Sequence, residues 1–188
     1  PYTAYLKSAE GCSNGCAFCI IPTLRGKYRS RSVEALLAEA KGLADAGVKE
    51  LIVIAQDITR YGLDLEPRTS LARLVKELCK LDFHWIRLHY LYPEAVTDEL
   101  VRVIANEPKV LHYLDIPIQH CNDGILQAMR RRSTKAELVE LFAKLRAAIP
   151  DVVIRTSLIC GLPGEGEAEF EELCQFLRAQ KLQRAGVF

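Results

Sequence analysis

Three cysteines stand close together near the start of the chain: Cys12, Cys16 and Cys19, within the stretch GCSNGCAFC. Their spacing would place them on one face of a helix, where three small apolar side chains could simply be part of a core. The intervening Gly, Ser and Asn residues are poor helix formers, however, and Pro22 follows closely. We therefore predict a loop, and a loop that presents three thiols within one short stretch is typical of a metal or cluster site.

The number of thiols in this loop limits the kind of site. Structural zinc takes four protein ligands, usually from paired motifs, and the sequence contains no second CxxC. Iron–sulfur clusters are held by thiolates in short runs, and three thiolates would leave one iron of a [4Fe-4S] cluster open to another ligand. A cluster is the favoured interpretation. A zinc site completed by a distant His or Cys, and plain structural or redox thiols, are the alternatives.

The elements that must position these residues follow from the apolar pattern. Short apolar runs alternate with segments of helical period, which predicts βα units and a mainly parallel sheet. We predict strands near residues 4–8, 50–55, 85–89, 110–116, 152–158 and 184–188. We predict helices near residues 32–46, 70–79, 97–105, 123–131, 135–148 and 167–180.

The same pattern leaves two architectures open, a partial barrel and an open doubly wound sheet. Polar or reactive residues lie at or just after the end of nearly every predicted strand, as Gln56, His89 and His120 illustrate. In a βα barrel all of these strand ends converge on one face, whereas an open sheet concentrates them at one switch point. This distribution favours an α/β fold with a partial (β/α)6 barrel resembling a TIM barrel.

Charge and composition exclude some classes of partner. The chain has 25 Lys+Arg and 24 Asp+Glu, so its net charge of +1 creates no overall attraction to nucleic acid. One basic cluster, Arg130 to Arg132 with Lys135, is either a solvated helix end or an RNA contact. No apolar run approaches the length of a membrane span, so we predict no membrane partner.

The remaining cysteines indicate where the protein works. The total of seven is odd, and four of them are scattered among apolar neighbours, which is typical of free thiols in a reducing compartment. We therefore predict a cytoplasmic protein.

The cysteine spacing, with Phe18 directly before the third cysteine, resembles the signature of the radical S-adenosylmethionine (SAM) enzymes. The resemblance implies that Cys12, Cys16 and Cys19 hold a [4Fe-4S] cluster whose open iron binds the amine and carboxylate of SAM. It implies that reductive cleavage of SAM yields a deoxyadenosyl radical that abstracts hydrogen. It also implies a reductant such as flavodoxin or ferredoxin.

Within these enzymes, the chain resembles the methylthiotransferases over essentially its whole length. The similar stretches are residues 10–31, 50–62, 113–120 and 155–170. They are most similar to the branch that methylthiolates the β-carbon of an aspartate in a small-subunit ribosomal protein. The alternatives are the branch that modifies an adenosine in tRNA and, from another class, a zinc-binding interaction module without catalysis.

The resemblance also implies a set of residues around SAM. These are Phe18, Gln56, Arg155, Ser157, Gly161, Gly164 and Glu165. Arg155 and Ser157 alternate with apolar neighbours and so share one face of a strand. A buried Arg needs a partner, and we favour the SAM carboxylate or ribose over a structural carboxylate.

A second group comprises Asp115, near the end of the fourth predicted strand, and Gln119 and His120, which follow that strand. We interpret these residues as neighbours of the substrate or of SAM, although a histidine at such a place is often a hydrogen-bonded core residue.

The domain prediction is a single radical SAM core over residues 1–188. Family members carry in addition an N-terminal domain with a second [4Fe-4S] cluster, taken as the sulfur donor, and a C-terminal TRAM barrel. Neither is in this sequence, so we expect the chain alone to bind one cluster and SAM without completing methylthiolation. Gly166 departs from the family, which has Thr or Ser there, and this weakens the start of the following helix.

Overall fold

Six parallel strands form the main sheet of the protein, seen in a computed structural model that describes residues 1–188. The strands, in chain order, are β1 (Thr3–Lys7), β2 (Ala9–Glu10), β3 (Arg29–Ser30), β4 (Glu50–Ile54), β5 (Trp85–Leu88), β6 (Val110–Asp115), β7 (Val153–Leu158) and β8 (Arg184–Val187). The main sheet has the order β1-β4-β5-β6-β7-β8, and β2 pairs antiparallel with β3 outside it. Because β1 and β8 stay unpaired with each other, the sheet does not close.

Helices connect the parallel strands, as parallel pairing requires. They are α1 (Ile21–Arg25), α2 (Val33–Asp45), α3 (Leu71–Cys79), α4 (Asp98–Asn106), α5 (Asp123–Ala128), α6 (Lys135–Ala148) and α7 (Glu167–Gln180). Five begin at a residue whose side chain accepts a hydrogen bond from the first turn: Ser32, Ser70, Thr97, Asn122 and Thr134. The starts predicted at Ser32 and Thr97 are confirmed.

The core lies between one face of the sheet and these helices. Leu114 on β6 and Ile154 on β7 are fully buried there. Side chains alternate between the two faces of a strand. Asp115 and Arg155 therefore lie on the opposite face, which forms the interior of the open barrel.

The sequence pattern missed several short elements. These are α1, the β2–β3 pair, and single 3-10 turns at Ile58–Arg60 and Pro93–Ala95. The helix predicted over 123–131 is shorter than expected and ends at Ala128, because Arg130 adopts a left-handed conformation with φ of 55°. None of the helices combines the length and the apolar character that crossing a membrane requires.

Candidate functional site

The cysteine loop occupies residues 11–20, between β2 and α1, and the loop conformation predicted there is confirmed. Two backbone hydrogen bonds hold it, from Cys12 N–H to the Gly26 carbonyl (3.1 Å) and from Ala17 N–H to the Met129 carbonyl (2.9 Å). Gly11 opens the loop with a φ of 76°, and a Cβ there would lie 2.3 Å from the carbonyl oxygen of Lys27. Only glycine fits this position.

Cys12 and Cys16 are buried and Cys19 is half-buried. Both the backbone N–H and the side-chain amide of Asn14 lie 3.5 Å from the Cys12 sulfur as donors. The same amide donates to Asp57 Oδ2 at 2.9 Å, and this fully buried carboxylate connects the loop to the end of β4. Burial raises the pKa of the Cys12 thiol above its ordinary value.

Cys16 packs against an aromatic ring and a cation. Its sulfur lies 3.4 Å from the hydroxyl of Tyr92 and 3.9 Å from Nη1 of Arg131. The Arg131 guanidinium stacks over the Tyr92 ring at 4.2 Å from the ring centroid. Burial raises the pKa of Tyr92, so the phenol keeps its proton.

The position of Arg131 corrects the predicted basic cluster. Arg131 is buried, whereas Arg130 and Arg132 are exposed. Lys135 pairs with Glu172 at 2.7 Å. The cluster is therefore smaller than the run of arginines indicates, because the end of α5 directs the middle residue inward.

A cavity of about 310 Å³ adjoins the cysteine loop. It is lined by Cys12, Cys19, Ile21, Ala55, Gln56, Tyr90 and Tyr92. The Oε1 atom of Gln56 is buried and has no hydrogen-bond partner. A buried acceptor without a partner is costly, so it indicates a ligand that would supply a donor in this cavity.

The three thiols of the cysteine loop are not gathered around one point. No set of three His, Cys, Asp or Glu side chains is placed to share a single ion. A zinc ion at about 2.3 Å from each sulfur would need the sulfurs gathered closely around it. In an iron–sulfur cluster each thiolate binds a different iron, so the sulfurs stand further apart. All three thiols are free, and Cys12 and Cys19 line the adjoining cavity, so all three are available as ligands.

The loop after β7 contains three of the predicted SAM residues. Gly161 and Gly164 have φ values of 78° and 92°, and no atom lies within 4 Å of where a Cβ would stand. The space beside their backbone is open to a ligand. Glu165 is almost fully buried and stabilises the loop by accepting a hydrogen bond from the Leu162 N–H at 3.0 Å.

Glu165 also lies beside His120, a member of the predicted group of Asp115, Gln119 and His120. His120 is fully buried, and its Nδ1 accepts a hydrogen bond of 3.0 Å from the Asn122 N–H. In the neutral ring the proton therefore lies on Nε2, which points to Glu165 Oε1 at 3.5 Å. His120 Nε2 and Glu165 Oε1 have no other partner, so the ring N–H donor faces the carboxylate acceptor.

Phe18 borders a second, apolar cavity of about 430 Å³. The cavity is lined by Ala17, Phe18, Ile125, Ala128, Met129, Leu162 and Pro163. It joins the cysteine loop, the end of α5 and the loop after β7. Phe18 and the loop of Gly161 to Glu165, predicted from separate stretches, thus lie around one space.

Arg155 and Ser157 lie inside the barrel with Asp115. Arg155 Nη1 donates to Asp115 Oδ1 at 2.7 Å and lies 3.5 Å from the Ser157 hydroxyl. This hydrogen bond raises the pKa of Arg155 further. The structure thus gives Arg155 a carboxylate partner of its own, the alternative considered for it.

His89 and Gln119 complete this region. His89 Nδ1 lies 3.7 Å from the second oxygen of Asp115, and burial lowers the pKa of this histidine. Gln119 has a φ of 72°, and its backbone bridges to β7 through a hydrogen bond from its N–H to the Ser157 carbonyl (2.9 Å).

Sequence reasoning missed two contacts of the cysteine loop, Tyr92 and Arg131. Tyr92 lies outside the cysteine motif, and Arg131 is one of three consecutive arginines, Arg130 to Arg132. The position at which α5 ends could have identified Arg131, because the turn after a helix determines which of three consecutive side chains points inward.

Comparison with known proteins agrees with this geometry. The family model described as the radical SAM superfamily matches residues 6–177. The chain is 57% identical over 188 residues to the ribosomal protein uS12 methylthiotransferase RimO of Citrifermentans bemidjiense and 54% identical over 187 residues to that of Myxococcus xanthus. These matches cover 100% of the chain but only 42% and 39% of the relatives, so the chain spans about two fifths of their length.

Solved structures show the fold. The radical SAM methyltransferase TsrM of Kitasatospora setae aligns with a TM-score of 0.80 at 15% identity, over 98% of this chain and 35% of TsrM. Methylornithine synthase (PylB) aligns with a TM-score of 0.67 at 12% identity, over 99% and 52%. The predicted partial βα barrel is confirmed. With the family model spanning most of its length, the chain belongs to the radical SAM superfamily.

Proposed function

We propose that the chain is the radical SAM core of a methylthiotransferase that modifies the β-carbon of an aspartate in ribosomal protein uS12. The observation that carries the proposal is the loop of three free thiols beside a cavity with an unpartnered Gln56 acceptor. Identity of 52–57% to proteins named uS12 methylthiotransferase supports the choice of substrate.

In this proposal Cys12, Cys16 and Cys19 hold a [4Fe-4S] cluster. When bound, the cluster and SAM supply a deoxyadenosyl radical by reductive cleavage of SAM. The chain supplies placement: the Asn14 donors stabilise the Cys12 sulfur as a thiolate, and Gln56 Oε1 accepts from a ligand amine.

The other predicted residues orient SAM and exclude water. Gly161 and Gly164 let a ligand approach the backbone, and Phe18 covers the apolar cavity next to them. Tyr90 and Tyr92 line the cavity at the cysteines with ring surface, which keeps water away from a reactive radical.

Two of the predicted substrate neighbours act through other residues in this proposal. Asp115 orients Arg155 toward SAM, with Ser157 beside it, and His120 holds Glu165 and thereby the loop that follows β7. Gln119 orders the backbone between these two pairs.

We further propose that methylthiolation needs the rest of the longer protein, including a domain with the second cluster. The chain matches only 42% of the length of its relatives, which supports this division. The chain alone would cleave SAM and form no methylthio product. Because the proposed substrate is a ribosomal protein, we place the reaction in the cytoplasm, with a flavodoxin or ferredoxin as electron donor.

The experiment is anaerobic reconstitution of the chain with iron and sulfide, followed by addition of SAM and dithionite. We expect iron with equal acid-labile sulfide, and release of 5′-deoxyadenosine. A variant with Cys12, Cys16 and Cys19 changed to Ala should lose both, and the matched control Cys174→Ala should keep both. Stoichiometric zinc without sulfide would overturn the proposal in favour of a zinc-binding module.

The substrate is tested with the full-length protein. We expect a methylthio group on uS12, detected by mass spectrometry, when uS12 and tRNA are offered together. Modification of tRNA instead would identify the alternative branch. RNA contact is tested separately by measuring RNA affinity against salt concentration with Arg130, Arg132 and Lys135 changed to Ala.

A further inference from the structure

Arg131 is a buried cation beneath the cysteine loop, only 7% exposed. Its Nη2 donates to the Pro117 carbonyl at 3.0 Å, and its Nη1 lies 3.9 Å from the Cys16 sulfur. Its guanidinium stacks on Tyr92, and its Nε is buried without a hydrogen-bond partner. None of these neighbours is a carboxylate.

The end of α5 places Arg131 there. The Arg131 N–H bonds to the Leu126 carbonyl (2.8 Å) and the Arg130 N–H to the Gln127 carbonyl (2.9 Å). With Arg130 in the left-handed region, this pair of hydrogen bonds forms a Schellman motif that reverses the chain. The reversal directs Arg131 inward and leaves Arg130 and Arg132 exposed.

A buried guanidinium is costly unless an opposite charge compensates it. The acidic side chains do not provide that charge, because Arg131 is in no ion pair. The potential ligand atom nearest to it is the Cys16 sulfur, and Cys12 is a second thiol in the same loop. The missing partner is therefore an anionic group held by these sulfurs.

We propose that Arg131 is a positioning residue that raises the reduction potential of the cluster. The inference rests on the proposed function. Reduction transfers one electron from the donor, a flavodoxin or dithionite, to the cluster, which becomes more negative by one charge. A fixed cation at the Cys16 sulfur favours that added charge in a low-dielectric site, because net charge and contacts to the sulfurs set the potentials of such clusters. The Tyr92 hydroxyl, at 3.4 Å from the same sulfur, acts in the same direction.

The test compares Arg131→Gln with Arg132→Gln, an exposed arginine next to it, in the reconstituted chain. Iron and sulfide contents are measured first, and the potential is then measured by a redox titration followed by electron paramagnetic resonance. For Arg131→Gln we expect the ratio of reduced to oxidised cluster at a fixed potential to fall at least tenfold, equivalent to about 59 mV. The control should stay within twofold of the unmodified chain.

A second variant covers the case in which Arg131→Gln does not fold or load. Arg131→Lys keeps the charge, and we expect it to load the cluster with a ratio within about threefold of the unmodified chain. A loaded Arg131→Gln with an unchanged ratio, or a loaded Arg131→Lys with a tenfold loss, would contradict the inference and leave a purely structural role. Failure of the unmodified chain to take up any cluster would instead refute the proposed function.

Discussion

Arg155 on β7 donates a hydrogen bond of 2.7 Å to Asp115, its paired neighbour on β6, inside the open barrel. Asp115 is 1% exposed, whereas the Arg155 side chain is 32% exposed. The arginine thus stabilises a carboxylate that has almost no contact with water. The pair joins two strands at the end where the site lies.

Replacement of Arg155 by Met should destabilise the protein, because it leaves Asp115 buried without its cation. We expect a loss of about 2 to 3 kcal/mol in the free energy of unfolding, below the full value for a buried pair since Arg155 is partly exposed. Urea unfolding of the metal-free chain measures it. The double variant with Asp115→Leu should recover part of the loss, and a double variant as unstable as the sum of both single variants would show that the pair is not coupled.

Gly11 and Gly15 provide a matched pair of substitutions in the cysteine loop. Both have positive φ, but a Cβ at Gly11 would lie 2.3 Å from a backbone oxygen, while nothing lies within 4 Å of one at Gly15. Gly15→Ala should lower the free energy of unfolding by about 1 kcal/mol, because its only penalty is the left-handed backbone conformation. Gly11→Ala should cost at least twice as much and reduce cluster uptake, as measured by thermal unfolding and by iron content. Equal losses for the two variants would show that the contact with Lys27 does not restrain the loop.

The carboxylate of Glu172 should make stability depend on pH in the acid range. Hydrogen bonds from Lys135 and then Asn122 hold its pKa below the ordinary value of 4.5. The folded state thus binds the proton less readily than the unfolded state, so this contribution is present above pH 4.5 and is lost as the pH falls below it. Glu172→Gln should be less stable than the unmodified chain at pH 7, and the difference should narrow toward pH 3. A difference that is constant with pH would contradict this assignment.

Alkylation of the thiols should report on cluster binding. Burial raises the pKa of Cys121 to about 12, so this thiol should stay unreactive toward iodoacetamide at pH 8 in every form. In the metal-free chain Cys19, which is half-buried, should react before Cys12 and Cys16. Loading the cluster should protect all three, and removing it with a chelator should restore labelling. Mass spectrometry of the peptides measures each site, and labelling of the loop that is the same with and without cluster would refute the ligand assignment.

Gly161→Ala separates a ligand effect from a folding effect. Gly47 has a similar φ of 85°, equally open space and a place far from the site, at the end of α2. Both substitutions should cost about 1 kcal/mol of stability, since both impose the same left-handed strain. Gly161→Ala alone should also weaken SAM binding to the loaded chain by at least tenfold, measured by equilibrium dialysis. Unchanged SAM affinity would remove the Gly161 loop from the proposed site.

Strand positions could be predicted closely because a parallel strand buried against helices is a compact apolar run. The start of β4 at Glu50 and that of β5 at Trp85 agree with the prediction. The shortest elements left no such pattern: α1 has no buried residue, and β2 and β3 have only two residues each.

Residue types sufficed to predict that Cys12, Cys16 and Cys19 lie together in a loop, whereas their role as cluster ligands remains a proposal. Contacts that depend on where a side chain points in the folded chain could not be predicted. His120 and Glu165 are 45 positions apart in sequence, and only the fold brings them within 3.5 Å. Arg131 cannot be told from Arg130 and Arg132 by residue type. Only the left-handed backbone of Arg130 directs it into the interior and leaves the other two exposed.

The hydrogen bond from Ala17 N–H to the carbonyl of Met129 connects the cysteine loop to the end of α5. A shift of that short helix would move one end of the loop directly and would move the guanidinium that follows it. A ligand that binds only the ordered loop would therefore also stabilise the end of α5 against local opening, and its loss would loosen both together.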